Sequence, residues 1–236
     1  MNKQFRRDLL ATATAPYRRA GHFAWHFAKG KLGGDPAFFG LLEHGLIPDA
    51  NRLIDLGCGQ GLLASWLLSS RALYESGNWP TGWPAAPQIK NIWGLELMPS
   101  DVARARNALG DRAEFAEGDI RHSNFGQADV AIILDVLHYI DYPEQEAVLR
   151  KLRATLPAGG VFITRIGDAA AGLPFRISNW VDRAVFYVRG HRLPRLYCRT
   201  LTEWENVLKQ NGFSMQSLPM SQGTPFANVM LVARSM

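Results

Sequence analysis

The residues best placed to do chemistry lie in Leu53-Ile54-Asp55-Leu56-Gly57-Cys58-Gly59-Gln60-Gly61, where a carboxylate precedes three glycines at alternate positions. An apolar strand that feeds such a loop, followed by a helix, makes a ligand-binding turn. Glycine adopts positive φ and lets a ligand approach the backbone closely. In open α/β sheets, ligands bind beyond the carboxyl ends of strands, at a topological switch point. A dinucleotide site wants G-x-G-x-x-G, with a helix N-terminus aimed at a pyrophosphate. Here the third glycine comes one place early and position 62 is leucine. Asp55 fits poorly with an anionic ligand and suits a cationic one. A bare strand–helix turn is the competing reading, weakened by Asp55 and by the flanking elements.

More acids follow the ends of later strands: Glu96 in Gly94-Leu95-Glu96-Leu97, Asp119 in Gly118-Asp119-Ile120, and Asp135 in Ile133-Leu134-Asp135-Val136-Leu137-His138-Tyr139. Each has an ordinary reading as well. Glu96 could be a surface strand-end acid, Asp119 a turn residue, and His138 a packed, hydrogen-bonded histidine. No cluster of His, Cys, Asp and Glu has metal-ligand spacing, so metal-assisted chemistry has no support.

Leu53–Gly61 resembles motif I of the class I S-adenosylmethionine (SAM)-dependent methyltransferases, and the resemblance extends over about residues 50–165. It implies that Asp55, Gly57, Cys58, Gly59 and Gly61 cradle SAM, with Asp55 facing its amino and sulfonium region. Glu96 would accept both ribose hydroxyls, as a carboxylate with two oxygens can, with Leu97 beside it. Asp119 would accept from the adenine amino group while Ile120 packs on the ring. Asp135 and Val136 would border the methionine part of SAM. The Asp-x-Leu-His segment is similar to that of small-molecule members, and the Asn-Pro-Pro-Tyr pattern of nucleobase amine methylation is absent. Glu96 lies further from the glycines than is usual in that family, because a Trp/Pro-rich stretch, residues 78–87, intervenes.

Methyl transfer from a sulfonium is an in-line displacement that requires donor and acceptor to be held in near-attack geometry. An oxygen or activated carbon acceptor also needs a base within hydrogen-bond reach. His138 and Tyr139 are the catalytic candidates, with Tyr17, His22 and His26 from the N-terminal segment behind them.

Positioning these residues falls to alternating strands and helices. Helical character over residues 5–29, interrupted at Pro16, is followed by a turn at Gly33-Gly34-Asp35-Pro36 and a short helix to His44. Strands are expected at 52–55, 92–97, 113–117, 130–134 and 161–165. Helices are expected at 61–70, 99–109 and 143–156, then 202–211 before two closing strands at 214–218 and 228–233. This order predicts an α/β fold with a doubly wound, mostly parallel sheet. The resemblance makes it a seven-stranded Rossmann-like methyltransferase sheet with an antiparallel C-terminal hairpin. A single domain is expected over 1–236. It comprises a basic helical cap (1–45), a SAM-binding core (46–167), a lid or substrate insertion (168–199), and a C-terminal helix and hairpin (200–236).

The 236 residues, 47% hydrophobic, suffice for one sizeable core. No apolar run approaches the ~18 residues that span a bilayer. The N-terminus superficially resembles a leader, but Arg18 and Arg19 interrupt it, so export is not expected. Cys58 and Cys198 are the only cysteines, and Cys58 lies within the glycine loop, which points to a reduced, cytoplasmic protein. The net charge of +5 is concentrated. Residues 1–36 carry seven Lys/Arg against two acids, and residues 176–199 six against one. An acidic acyl carrier protein, an anionic membrane surface met by residues 175–197, or plain solvent would each suit these segments. Nucleic acid is disfavoured, since no recognised binding module is present.

Tyr17-Arg18-Arg19-Ala20-Gly21-His22-Phe23, with Lys29 through Pro36, also resembles methyltransferases of bacterial aryl polyene (xanthomonadin-type) pigment pathways. That likeness implies an aryl or acyl acceptor, carried on an acyl carrier protein. A SAM-binding scaffold without transfer activity is the alternative function. The oligomeric state is left open by the sequence.

Overall fold

Pro16 and Gly21 divide the first thirty residues. Helix α1 (Lys3–Thr14) gives way to a single 3₁₀ turn (Ala15–Arg18) with Pro16 as its second residue, and α2 (His22–Gly34) resumes beyond Gly21. Asp35 then caps α3 (Pro36–Glu43). Its side chain accepts the Ala37 N–H at 3.0 Å and pairs with Lys31 at 2.8 Å. The expected turn at Gly33-Gly34 is instead the last turn of α2. A Cβ on Gly33 would lie 3.2 Å from Leu10, so this glycine lets α2 pass close to α1.

The computed structural model describes residues 3–170, 195–220 and 228–236. The strands are β1 (Ala50–Leu56), β2 (Ile89–Glu96), β3 (Glu114–Glu117), β4 (Val130–Leu134), β5 (Val161–Gly167), β6 (Phe213–Pro219) and β7 (Asn228–Ser235). Between them run α4 (Leu62–Glu75), α5 (Pro99–Leu109), α6 (Tyr142–Thr155) and α7 (Leu201–Gln210). One seven-stranded sheet results, in the order β3-β2-β1-β4-β5-β7-β6. The first strands pair in parallel, with Leu53 opposite Ile92 and Val130. Strand β7 pairs antiparallel with both β5 and β6, from Val161↔Arg234 and Phe213↔Ser235 onward. The doubly wound sheet with its antiparallel C-terminal strands is thus the expected one. Its central strands are buried on both faces, as the uninterrupted apolar run Val130–Ile133 requires.

The chain divides into two compact units, Met1–Ile132 and Ile133–Met236. In the first, Trp66, Phe38, Phe39 and the helices around them form the core, and the Trp66 indole donates to the Phe38 carbonyl at 2.8 Å. The Trp/Pro stretch packs against the N-terminal helix. Trp79 and Trp83 pack edge-on against Phe5 of α1, with ring centroids 5.2 and 5.5 Å away. In the second unit, Phe162 of β5, Phe213 of β6 and Trp204 of α7 are buried. A reciprocal capping box between Thr200 and Glu203 starts α7. The expected lid falls at 168–199, and its residues 171–194 lie outside the described residues. Among the described residues no helix is long and apolar enough to cross a membrane.

Candidate functional site

Strand β1 delivers Asp55 opposite Gly94 of β2 and Ile132 of β4. Its side chain is buried, and burial pushes the carboxyl up to about 7, with the Glu96 charge adding to the rise. Among the described residues no cationic side chain pairs with it. A buried carboxyl in this state is neutral at mildly acidic pH and strongly favours a cationic partner.

Around it, three loops converge on the end of β2. The N–H groups of Gly57 and Cys58 donate to the Leu95 carbonyl at 2.7 and 3.1 Å, and the Gly118 N–H donates to the Glu96 carbonyl at 3.0 Å. The Glu96 carboxylate accepts the Gly59 N–H on one oxygen and the Met98 N–H on the other, both at 2.9 Å. Each oxygen keeps a second lone pair, so the group can still accept a pair of hydroxyls.

Gly61 starts α4 at φ +76°, and a Cβ there would lie 2.7 Å from the Phe115 ring. The glycine is therefore needed for space as well as for its backbone angle. The Cys58 thiol is buried against Gly94, and burial pushes its ionisation up, which makes it a spacer in the loop and not a nucleophile.

After β3, Asp119 is engaged by Arg121. Its carboxylate accepts the Arg121 backbone N–H at 2.8 Å and the guanidinium at 2.6–3.0 Å. The Arg121 side chain holds the Asp119 pKa below the usual carboxylate range. Ile120 beside it is buried, whereas Leu97, beyond Glu96, is 57% exposed.

In the second unit, Asp135 leaves β4 at φ +59°, a left-handed conformation that Asp tolerates better than most residues. Its carboxylate forks onto Arg165 of β5, with Nε at 2.7 Å from one oxygen and Nη2 bonded to the other. Val136 follows, half-buried, and leads into a 3₁₀ turn, Leu137–Tyr139. This turn carries His138 and Tyr139, whose rings lie 4.1 Å apart. His138 Nε2 is buried with no hydrogen-bond partner. Burial lowers the His138 pKa, opposed by Asp135 and reinforced by Arg165, so the ring is neutral near pH 7.

Gln145, fully buried on α6, fixes the turn by donating to the carbonyls of Leu137 and Ile140 at 3.0 and 3.1 Å. Its own carbonyl accepts from Arg199 at 2.9 Å, and the Tyr197 N–H donates to the His138 carbonyl at 2.9 Å.

The first unit therefore brings together Asp55, Gly57, Cys58, Gly59, Gly61, Glu96, Asp119 and Ile120. Asp135, Val136, His138 and Tyr139 belong to the second. Tyr17 is fully buried and gives its hydroxyl hydrogen to the Gln60 carbonyl at 3.0 Å, and burial pushes its ionisation far up, which removes it as a base. His22 and His26 are exposed on α2.

Sequence reasoning missed Arg165, Arg121, Gln60 and Gln145. Arg165 did leave a signal. A lone arginine within the apolar strand run 161–166 demands a carboxylate partner. Among the described residues no group of His, Cys, Asp and Glu could hold a metal ion.

A family profile described as "Methyltransferase domain" matches residues 24–218. Carboxy-S-adenosyl-L-methionine synthase of Chromohalobacter salexigens is 30% identical over 129 residues, covering 52% of this chain and 43% of that protein. Methyltransferase ungE' of Aspergillus campestris is 26% identical over 198 residues, covering 76% of this chain and 52% of its own. The chain spans about half the length of these curated relatives. Among solved structures, magnesium protoporphyrin IX methyltransferase of Synechocystis PCC 6803, with bound SAH, aligns over 98% of both chains. Its TM-score is 0.58 at 19% identity, a likeness of fold.

Proposed function

The chain belongs to the methyltransferase domain family, and on that premise we propose that it transfers a methyl group from SAM to a small-molecule acceptor. The observation that carries this reading is the pairing of a buried, uncompensated Asp55 carboxyl with a glycine loop tied to the Glu96 carboxylate. A cationic, hydroxyl-bearing ligand fits both groups; the ribose of a dinucleotide would suit Glu96, but its anionic pyrophosphate would not suit Asp55. SAM supplies an electrophilic methyl on a sulfonium. Asp55 would hold its cationic end, and Glu96 would orient its ribose while its oxygens keep their backbone donors. Asp119 and Ile120 would take the adenine, and Leu97 would cover it. In the second unit Asp135 and Val136 are assigned to the methionine moiety. His138, neutral and with Nε2 lacking a partner, is the candidate base, and Tyr139 is its neighbour.

The finer reading makes the acceptor an aryl or acyl intermediate of aryl polyene biosynthesis, carried on an acyl carrier protein. Its support is the pattern Tyr17–Phe23 with Lys29–Pro36 and the basic charge of that region. Calorimetric titration with SAM, SAH and NAD, followed by incubation of labelled SAM with aryl acids and their carrier-linked thioesters, tests both levels. SAM binding with methylation of one acceptor class is expected. NAD binding without SAM binding would overturn the donor assignment, and SAM binding with no transfer to any acceptor would favour a scaffold.

A further inference from the structure

The N-terminal helices are joined to the glycine loop and to α4 by buried hydrogen bonds. Tyr17, in the 3₁₀ turn between α1 and α2, donates to the Gln60 carbonyl at 3.0 Å. Gln60 returns the connection, its side-chain amide donating to the Ala24 carbonyl of α2 at 2.9 Å. One turn into α4, Ser65 donates to the Ala13 carbonyl at 2.7 Å. Tyr17, Gln60 and Ser65 are all buried. Gln60 stands between Gly59, whose N–H binds the Glu96 carboxylate, and Gly61, which opens α4. The loop's backbone is therefore fixed from one side by Glu96 and from the other by α2.

We propose that Tyr17 and Gln60 are positioning residues which couple the seating of α2 to SAM affinity, so that donor binding and closure of the N-terminal cap reinforce one another. This inference rests on the donor reading given above. The energetics of Gln60 favour a positioning role over a stabilising one. Its Oε1 is buried without a partner, and a buried acceptor left unpaired costs free energy. A nonpolar side chain of similar size would avoid that cost. The amide's return is the bond to α2, and an intrahelical carbonyl such as that of Ala24 does not depend on it. Coupling of this kind is reciprocal: whatever SAM gains from a seated α2, α2 gains from bound SAM.

The test compares wild type with Tyr17→Phe and Gln60→Met, measuring SAM and SAH affinity by calorimetry, melting temperature, and hydrogen exchange of the α2 amides with and without SAM. In wild type, SAM should slow exchange across residues 22–34. Each variant should weaken SAM binding about three- to tenfold, the range expected for one net hydrogen bond, and should lose most of the SAM-induced protection. Gln60→Met should do so with an unchanged or higher melting temperature, which a merely structural role would not produce. If Tyr17→Phe does not fold, Gln60→Met carries the test alone. Folded variants that bind SAM within twofold of wild type would overturn the coupling and leave the donor site standing, as would α2 exchange indifferent to SAM. A wild-type protein that fails to bind SAM would overturn the donor reading itself.

Discussion

The Glu96 carboxylate accepts the Gly59 N–H at 2.9 Å across 37 residues of sequence, so the end of β2 and the glycine loop after β1 hold one another in place. Replacing Glu96 with Ala removes both that tie and the proposed ribose acceptor. SAM affinity should fall by about 1–3 kcal/mol, with Glu96→Gln falling less because its amide oxygen still accepts one N–H. Calorimetry on the two variants checks this. Wild-type affinity in Glu96→Ala would mean that the ribose lies elsewhere.

Asp55 gives a pH dependence of definite sign. Its folded pKa is raised to about 7 from a usual 3.8. Between roughly pH 4 and 7 the folded state therefore keeps a proton that the unfolded chain has lost, and stability of the free protein falls as pH rises through that window. A bound cation favours the carboxylate, so SAM binding should release a proton below pH 7 and tighten from pH 5.5 to 7.5. Titrations in buffers of different ionisation enthalpy count that proton. Asp55→Asn should melt higher than wild type at pH 8 and bind SAM weakly with little pH dependence. A flat wild-type profile would remove Asp55 from the cation's neighbourhood.

The alternating strands and helices were legible because each buried strand is a short apolar run bounded by turn residues, as at Val130–Leu134. The acids at strand ends were legible for a related reason: a charge that closes an apolar run stands out. What the sequence hid is side-chain pairing and packing. The partner of Asp135 is Arg165, thirty residues on and in a different strand, whereas Asp119 is held by Arg121 only two residues away, through a local turn whose side-chain geometry spacing does not specify. Gly33-Gly34 looked like a turn because glycine usually marks one, whereas close packing on Leu10 keeps Gly33 inside α2. Tyr17 looked like a candidate base because nothing local reveals that it is buried under Gln60.

His138 should act in turnover and not in donor binding. Its pKa is lowered by burial, so the ring is available as an acceptor of protons throughout the neutral range. With an acceptor that supports turnover, His138→Ala should reduce kcat by about 10²–10⁴-fold, the usual contribution of a positioned base. SAM affinity should stay within twofold of wild type. In wild type the rate should be level near pH 7–8 and decline on the acid side as the ring protonates. Unchanged kcat would assign His138 to packing, and the base would then have to be sought elsewhere.

The Asp135–Arg165 pair sets a test of stability by the order of its variants. Arg165 is 4% exposed and Asp135 37%, so the cation is the buried partner of the pair. Asp135→Asn preserves a residue type that accepts positive φ and so isolates the loss of charge. It removes the charge that the buried Arg165 guanidinium forks onto. Breaking a buried pair from one side costs about 3–5 kcal/mol, and the partial exposure of Asp135 brings the expected loss to about 2–4 kcal/mol. Arg165→Met removes the buried cation and fills the space with an apolar chain, so it should cost less than Asp135→Asn. The double variant should be more stable than Asp135→Asn alone. Urea unfolding of the four proteins measures the cycle. Additive losses would show that the two side chains are not energetically coupled.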